Sequence, residues 1–195
     1  YLHAYVASQA ERLAPILSGR PYVLCTFYFP SELACLYDAE FLYVDRTVGL
    51  AASAGLMPPP GQELGAVWSY QQAFFDLLVS GLLPPPALLL AMEYPCADAL
   101  RMMQAVRHRW GIPFLRITRG KLQQDLEEAA SLLDQRFGRR ESMERVVERY
   151  NQANVCKRSI DRLRLEFPGI ADSTDLLKLF TLENDWGSET AIDIL

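Results

Sequence analysis

Cysteine, carboxylate and histidine positions decide what chemistry this chain could do. Cys96 is the most suggestive of them. It follows an apolar run, Ala87-Leu-Leu-Leu-Ala-Met92, and precedes a helical pattern that extends to Trp110. A short apolar run, a proline and then a 3.6-residue period mark one β–α step of a parallel sheet. Ligands in open α/β sheets bind outside the carboxyl ends of the strands. A thiol placed there, just before a helix start, meets peptide dipoles that favour a thiolate. Asp45 follows a second strand-like run, 40–44, and suits either a cleft or the cap of the next helix. Asp98 suits capping or shielding of the helix start, its ordinary task, or acid/base work. Ser69 and Tyr70 open a helix where capping is the ordinary task. His108 falls late in a helix between two arginines, where a cation suits the dipole. His3 sits near the start of the chain. The sequence has no G-x-G-x-x-G, P-loop or Ser-His-Asp arrangement.

The elements that must position these residues follow from periodicity and breakers. Tyr1–Leu17 reads as an amphipathic helix closed by Ser18 and Gly19. Pro21 opens a β-branched and aromatic strand, Tyr22–Tyr28. Pro30 and Glu32 favour a helix over 31–37. A strand over 40–44 and a helix from about Arg46 to Leu56 come next. Two proline triplets, 58–60 and 84–86, bracket a helix from about Gln62 to Gly81, with Val67, Tyr70, Phe74, Leu77 and Leu78 on one face. The strand–Cys96–helix step then leads to Gly111, which stops its helix, and to a fourth strand over 112–117. Strands alternating with helices imply a parallel, doubly wound sheet.

Beyond Thr118 the pattern changes to two charged amphipathic helices, 122–137 and 141–165, split by Gly138. The second carries Met143, Val146, Val147, Tyr150, Ala153, Cys156, Ile160 and Leu163 on one stripe. Shorter helices near 174–182 and 188–195 complete the chain. The expected fold is therefore α/β: a three-layer sandwich with a parallel sheet of about four strands plus an appended helical hairpin. Residues 1–118 form a Rossmann- or flavodoxin-like lobe, and 119–195 form the hairpin and short helices packed on it.

Composition narrows the function classes. Half of the residues are hydrophobic, so a sizeable core is available, and the net charge of −5 argues against a nucleic-acid partner. No run reaches the roughly 18 apolar residues of a membrane span, and no signal peptide opens the chain. The four cysteines, at 25, 35, 96 and 156, form no C-x-x-C pair. A self-contained zinc site is not expected, and reduced thiols in the cytoplasm are. Cys25, Cys35 and Cys156 read as core residues. The chain opens at Tyr1 and stops at Leu195 within an apolar pattern, which reads as a piece of something longer.

Four stretches, in order and spacing, resemble the 2-hydroxyacyl-CoA dehydratase / benzoyl-CoA reductase family. FYFPSEL is similar to its strand followed by P-x-E-L. FLYVDRTVGLAAS is similar to its strand ending in an acid before an Ala-rich helix. VWSYQQAFFD is similar to its L-C-S-Y-x-R helix start. EYPCADALRMM and FGRRESMERVVERYN resemble its strand-end cysteine and its G-[KR]-[KR] helix ending in E-x-Y-N. The resemblance spans roughly 20–195 and corresponds to the first lobe, with the second lobe beyond the chain. It implies two related subunits, a [4Fe–4S] cluster between lobes, an ATP-dependent activator protein that delivers single electrons, and a CoA thioester substrate. Carried over by position, Cys96 is an iron ligand, and Asp45, Ser69 and Tyr70 line the substrate cleft. Thr47 stands where some relatives have His. The adjacent pair Arg139-Arg140 could contact a CoA phosphate, but two neighbouring arginines are weak evidence, and charged residues over 121–164 are ordinarily a solvated face.

At the family's C-S-Y cysteine this chain has Trp68. Cubane clusters are held by thiolates, typically four of them, and indole offers one N–H donor and no ligand lone pair. Two functions follow from the resemblance. One is a subunit or fragment of an iron–sulfur enzyme acting on a CoA thioester by single-electron chemistry. The other is a cluster-less paralogue with a structural or partner-binding role, in which Trp68 plugs the vacated site. A flavodoxin-like small-molecule module is a third reading and would need a phosphate loop.

Overall fold

The computed structural model describes residues 13–26, 29–67, 69–93 and 96–169. Expectations for Tyr1–Arg12, for Trp68 and for the C-terminal helices near 174–182 and 188–195 lie outside the described residues. So do the last two residues of the run that begins at Tyr22.

The described chain has four strands, β1 (Tyr22–Cys25), β2 (Glu40–Tyr43), β3 (Leu88–Met92) and β4 (Phe114–Ile117). Its helices are α1 (Ser31–Leu36), α2 (Val44–Ser53), α3 (Ser69–Val79), α4 (Ala97–Trp110), α5 (Leu122–Arg136) and α6 (Met143–Glu166). Residues 13–17 are also helical, and a 3-10 turn, Arg119–Lys121, precedes α5.

All strand pairs are parallel, in the order β2-β1-β3-β4. Leu24 lies beside Leu42 on one side and Leu89 on the other, and Leu90 lies beside Leu115. Strand side chains alternate between faces. Tyr22, Leu24, Leu42, Leu89 and Ala91 therefore share one face. They form a single core with Ala51 of α2, Phe74, Phe75, Leu77 and Leu78 of α3, and Met102, Met103 and Val106 of α4. Val23, Cys25, Leu88, Leu90 and Ile117 face the other way and are buried too. There α5 packs on β4, with Ala129 and Leu133 fully buried. A sheet buried on both faces explains why its strands are continuous apolar runs instead of alternating ones. The architecture is the three-layer α/β sandwich with a parallel four-stranded sheet. Among the described residues no helix is long and apolar enough to cross a membrane.

Element ends have local causes. α4 stops at Gly111, whose φ of 66° is the left-handed conformation of a helix C-cap. Thr118 ends β4, and its backbone N–H and hydroxyl both donate to Asp125 of α5, at 2.7 and 2.8 Å. Those bonds hold the Asp125 carboxyl below the usual carboxylate range.

α3 starts at Ser69, seven residues later than its periodicity suggests. Residues 61–67 are instead a loop clasped to the helix. The Gly61 N–H donates to Asp76 Oδ2 at 2.8 Å, Gln72 Nε2 donates to Asp76 Oδ1 at 2.8 Å, and the Leu64 N–H donates to Gln72 Oε1 at 3.2 Å. Gln72 and Asp76 are both buried. Two bonds from the loop backbone to buried side chains, braced by the Gln72–Asp76 bond within α3, take the place of about two further helical turns, which would have to pass through Gly65, whose φ is 69°.

The chain divides into two compact units. One contains Pro30–Asp38 and the residues from Phe137 onward; the other contains the sheet and Ala39–Arg136. The two long helices expected as a hairpin, α5 and α6, thus fall in different units. Within the smaller unit α1 packs on α6. Asp38 N–H donates to the Gly138 carbonyl at 2.8 Å and Arg140 N–H to the Leu36 carbonyl at 2.7 Å, around an antiparallel bridge between Tyr37 and Arg139.

Candidate functional site

The carboxyl ends of the strands gather the site. The strand order reverses between β1 and β3: one connection runs outward to β2, the other to β4. Such a reversal opens a crevice at the strand ends. Thr26, just past β1, fixes the rim. Its N–H donates to the Leu90 carbonyl at 3.2 Å, and its hydroxyl accepts from the Met92 N–H at 2.8 Å.

Cys96 occupies the N-cap position of α4 in extended conformation, with no side-chain capping bond. It is half-buried, so the thiol is neither sealed among aliphatic side chains nor fully open. Asp98 lies in the first turn of α4, half-buried, and pairs with the exposed Arg101 at 3.6 Å, an ordinary helix-start arrangement. His108 lies twelve residues along α4 from Cys96, about 18 Å at 1.5 Å per residue. It lines a groove with Gln104, Arg107, Pro113 and Phe114 at the opposite end of the helix, so it takes no part in the Cys96 group.

α3 brings its first turn to the thiol. Gln71 Nε2 donates to the Cys96 sulfur at 3.5 Å, within reach for a sulfur acceptor. The Tyr70 hydroxyl is pushed up to about 12, first by loss of solvent and further by Cys96 and Asp45 nearby. Asp45, in the first turn of α2, is raised above the usual carboxylate range by burial, opposed by backbone N–H donors and by Arg46. Its Oδ1 has no hydrogen-bond partner, and neither has Gln71 Oε1. Thus Cys96, Tyr70 and Asp45, from three separate stretches of sequence, form one group on the larger unit. Ser69 is exposed at the start of α3. The Thr47 hydroxyl is committed to the Tyr43 carbonyl at 2.9 Å. Arg139 and Arg140 belong to the smaller unit.

Gln71 is the participant that sequence reasoning missed. Its only signal was a polar residue in the midst of a packing helix, next to Tyr70.

A cubane cluster is a demanding occupant, since four thiolates typically hold it. Cys25 is fully buried in β1, and burial pushes its thiol well above the ordinary range. Cys35 and Cys156 lie on α1 and α6, in the other unit, and are half-buried instead of core residues. Among the described residues no three His, Cys, Asp or Glu side chains come together as a metal site. The described residues thus bring one thiolate, Cys96, and do not by themselves make a cluster site. What they make is a partly buried thiol with an amide donor and a phenol beside it, and a carboxyl of raised proton affinity whose charge reaches the phenol. Such a group can hold a soft atom at sulfur and exchange hydrogen bonds with a polar ligand. Neither a family model nor a curated protein sequence matches the chain.

Proposed function

We propose that this chain is the first lobe of a cytoplasmic subunit related to the 2-hydroxyacyl-CoA dehydratases and benzoyl-CoA reductases. The observation that carries the reading is the meeting of Cys96, Tyr70 and Asp45, each singled out by a different stretch of the resemblance, at the carboxyl edge of one parallel sheet. In this reading Cys96 is one thiolate ligand of a [4Fe–4S] cluster, and the remaining ligands come from outside the described residues. The cluster, when bound, supplies single-electron reduction of a CoA thioester. Tyr70 and Asp45 stay protonated more readily than ordinary side chains and offer hydrogen bonds to the thioester end. Ser69 lines the entrance. A related second subunit and an ATP-dependent activator protein complete the system.

Trp68, at the position of a family cysteine, favours a second reading: a cluster-less paralogue that keeps the fold and serves a partner subunit. One preparation separates the two. The full-length protein, purified without oxygen, is assayed for iron, acid-labile sulfide and visible absorbance. The enzyme reading expects a brown protein that loses its colour and iron in Cys96→Ser. A folded, colourless, iron-free protein overturns it in favour of the paralogue, and iron gained in Trp68→Cys identifies the site as vestigial.

A further inference from the structure

α6 has 24 residues, about 36 Å at 1.5 Å per residue, whereas α1, which packs on it, has 6 residues and spans about 9 Å. Burial follows that mismatch. Val146 and Ala153 are fully buried, and no residue of α6 after Ala153 is buried. The apolar row does not stop there. Cys156, Ile160 and Leu163 continue it on the same side of the helix, with Phe167 at its cap. Cys156 and Ile160 are half-buried, Leu163 is 43 % exposed and Phe167 58 %. An apolar row that begins where an existing contact ends, and runs on in water, marks an interaction surface.

We propose that this row is the seat of residues 174–182 of the same chain, which return along α6 antiparallel to it as the second arm of a helical hairpin. The inference does not depend on the thioester reading. Pro168 and Gly169 follow α6 at once, and Gly169 has a φ of 115°, which turns the chain. Residues 170–195 lie outside the described residues, so the argument rests on their sequence. Leu176, Leu177, Leu179 and Phe180 share one face of a helical period over 174–182. As a helix that span is about 14 Å long, against about 18 Å for 156–167. The connection left between the two, 168–173, falls within the roughly two to eight residues that join antiparallel helices. Charge agrees with this occupant. Residues 170–195 carry six acidic side chains and one lysine, whereas 156–167 carries four basic and two acidic ones. Being tethered, the segment meets the row at an effective concentration on the order of millimolar, which favours it over a free partner.

Cys156, in the middle of α6, reports on the cover. The full-length protein is treated with a neutral maleimide, and labelling of each cysteine is timed by mass spectrometry of its peptide. Leu177→Asp combined with Phe180→Asp should speed the labelling of Cys156 by about tenfold, the order expected when a leucine-sized apolar contact is lost. Cys96, in the other unit, should keep its rate. Leu177→Ala combined with Phe180→Ala replaces the aspartate pair if that one fails to fold, and should move the Cys156 rate in the same direction. An unchanged Cys156 rate in a folded variant overturns the proposal. So does a Cys156 rate that falls in the unsubstituted protein as its concentration rises, which assigns the row to a second copy of the chain.

Discussion

Asp45 shows how a single carboxyl can be set against its surroundings. Burial raises its proton affinity, and Arg46 with nearby backbone N–H groups only partly offsets that. A carboxyl whose folded value is raised binds its proton more tightly in the folded state. Folding is then favoured below the unfolded carboxylate range, near pH 4, and the benefit is lost as pH rises through the folded value. At neutral pH Asp45 therefore costs stability. Asp45→Asn is expected to raise the unfolding midpoint at pH 7, with the gain shrinking as the pH approaches 4. Thermal unfolding of both proteins across that range measures it. A variant no more stable at pH 7 than at pH 4, relative to the parent, contradicts the burial account. Tyr70 has the same sense at the alkaline end. Its hydroxyl, pushed up to about 12, stays protonated while an unfolded tyrosine ionises near pH 10. Stability should thus decline between those values less steeply in Tyr70→Phe, as followed by alkaline denaturation.

The start of α3 depends on the clasp before it. Asp76 receives the Gly61 N–H and the Gln72 amide, and Gln72 in turn receives the Leu64 N–H. A Cβ at residue 61 would stand 2.5 Å from Asp76 Oδ1, closer than van der Waals contact permits. Asp76→Ala leaves two donors unserved, and a loss of about 2–3 kcal/mol is expected from the cost of unsatisfied buried groups. Gly61→Ala should destabilise in the same direction. Because the clasp ends one turn before Tyr70 and Gln71, both variants should also open residues 61–67 to limited proteolysis. Chemical denaturation and mass-spectrometric mapping of the first cleavages are the measurements. Cleavage elsewhere, with an unchanged midpoint, would remove the clasp from the account. α6 is the contrasting element. Of its apolar stripe only Val146 and Ala153 are buried, whereas Met143, Val147 and Leu163 are exposed.

At the scale of the whole molecule, the smaller unit is assembled from distant segments. α1 packs on α6, and the bonds of 36–38 to 138–140 stitch a crossover connection to the second half of the chain. Leu36 and Tyr37 are almost fully buried. Ending the chain after Arg136 removes α6 and those bonds. The truncated protein is expected to keep parallel-sheet signal in far-UV circular dichroism and to bind a hydrophobic dye strongly, because α1 loses its cover. Absence of added dye binding would show that α1 does not need α6. The larger unit retains its own core on one sheet face and α5 on the other.

The sequence by itself determined the alternation of strands and helices, the parallel sheet, the place of Gly111 at a helix end and the strand-end position of Cys96. These are local matters: apolar run length, 3.6-residue period, prolines, and a glycine that tolerates positive φ. It also marked Asp45 and Tyr70 as residues to watch. Only the tertiary structure decided that they meet. Their proximity depends on how α2, α3 and α4 pack on one sheet face, and no spacing along the chain encodes that. The late start of α3 was hidden for a similar reason, since Gln72 and Asp76 look like ordinary helix polar residues until a loop folds back to use them. Gln71 stayed unread because its hydrogen-bond partner Cys96 is twenty-five residues away in the chain. The pairing of α1 with α6, too, is a long-range choice that the amphipathic pattern of α6 left open.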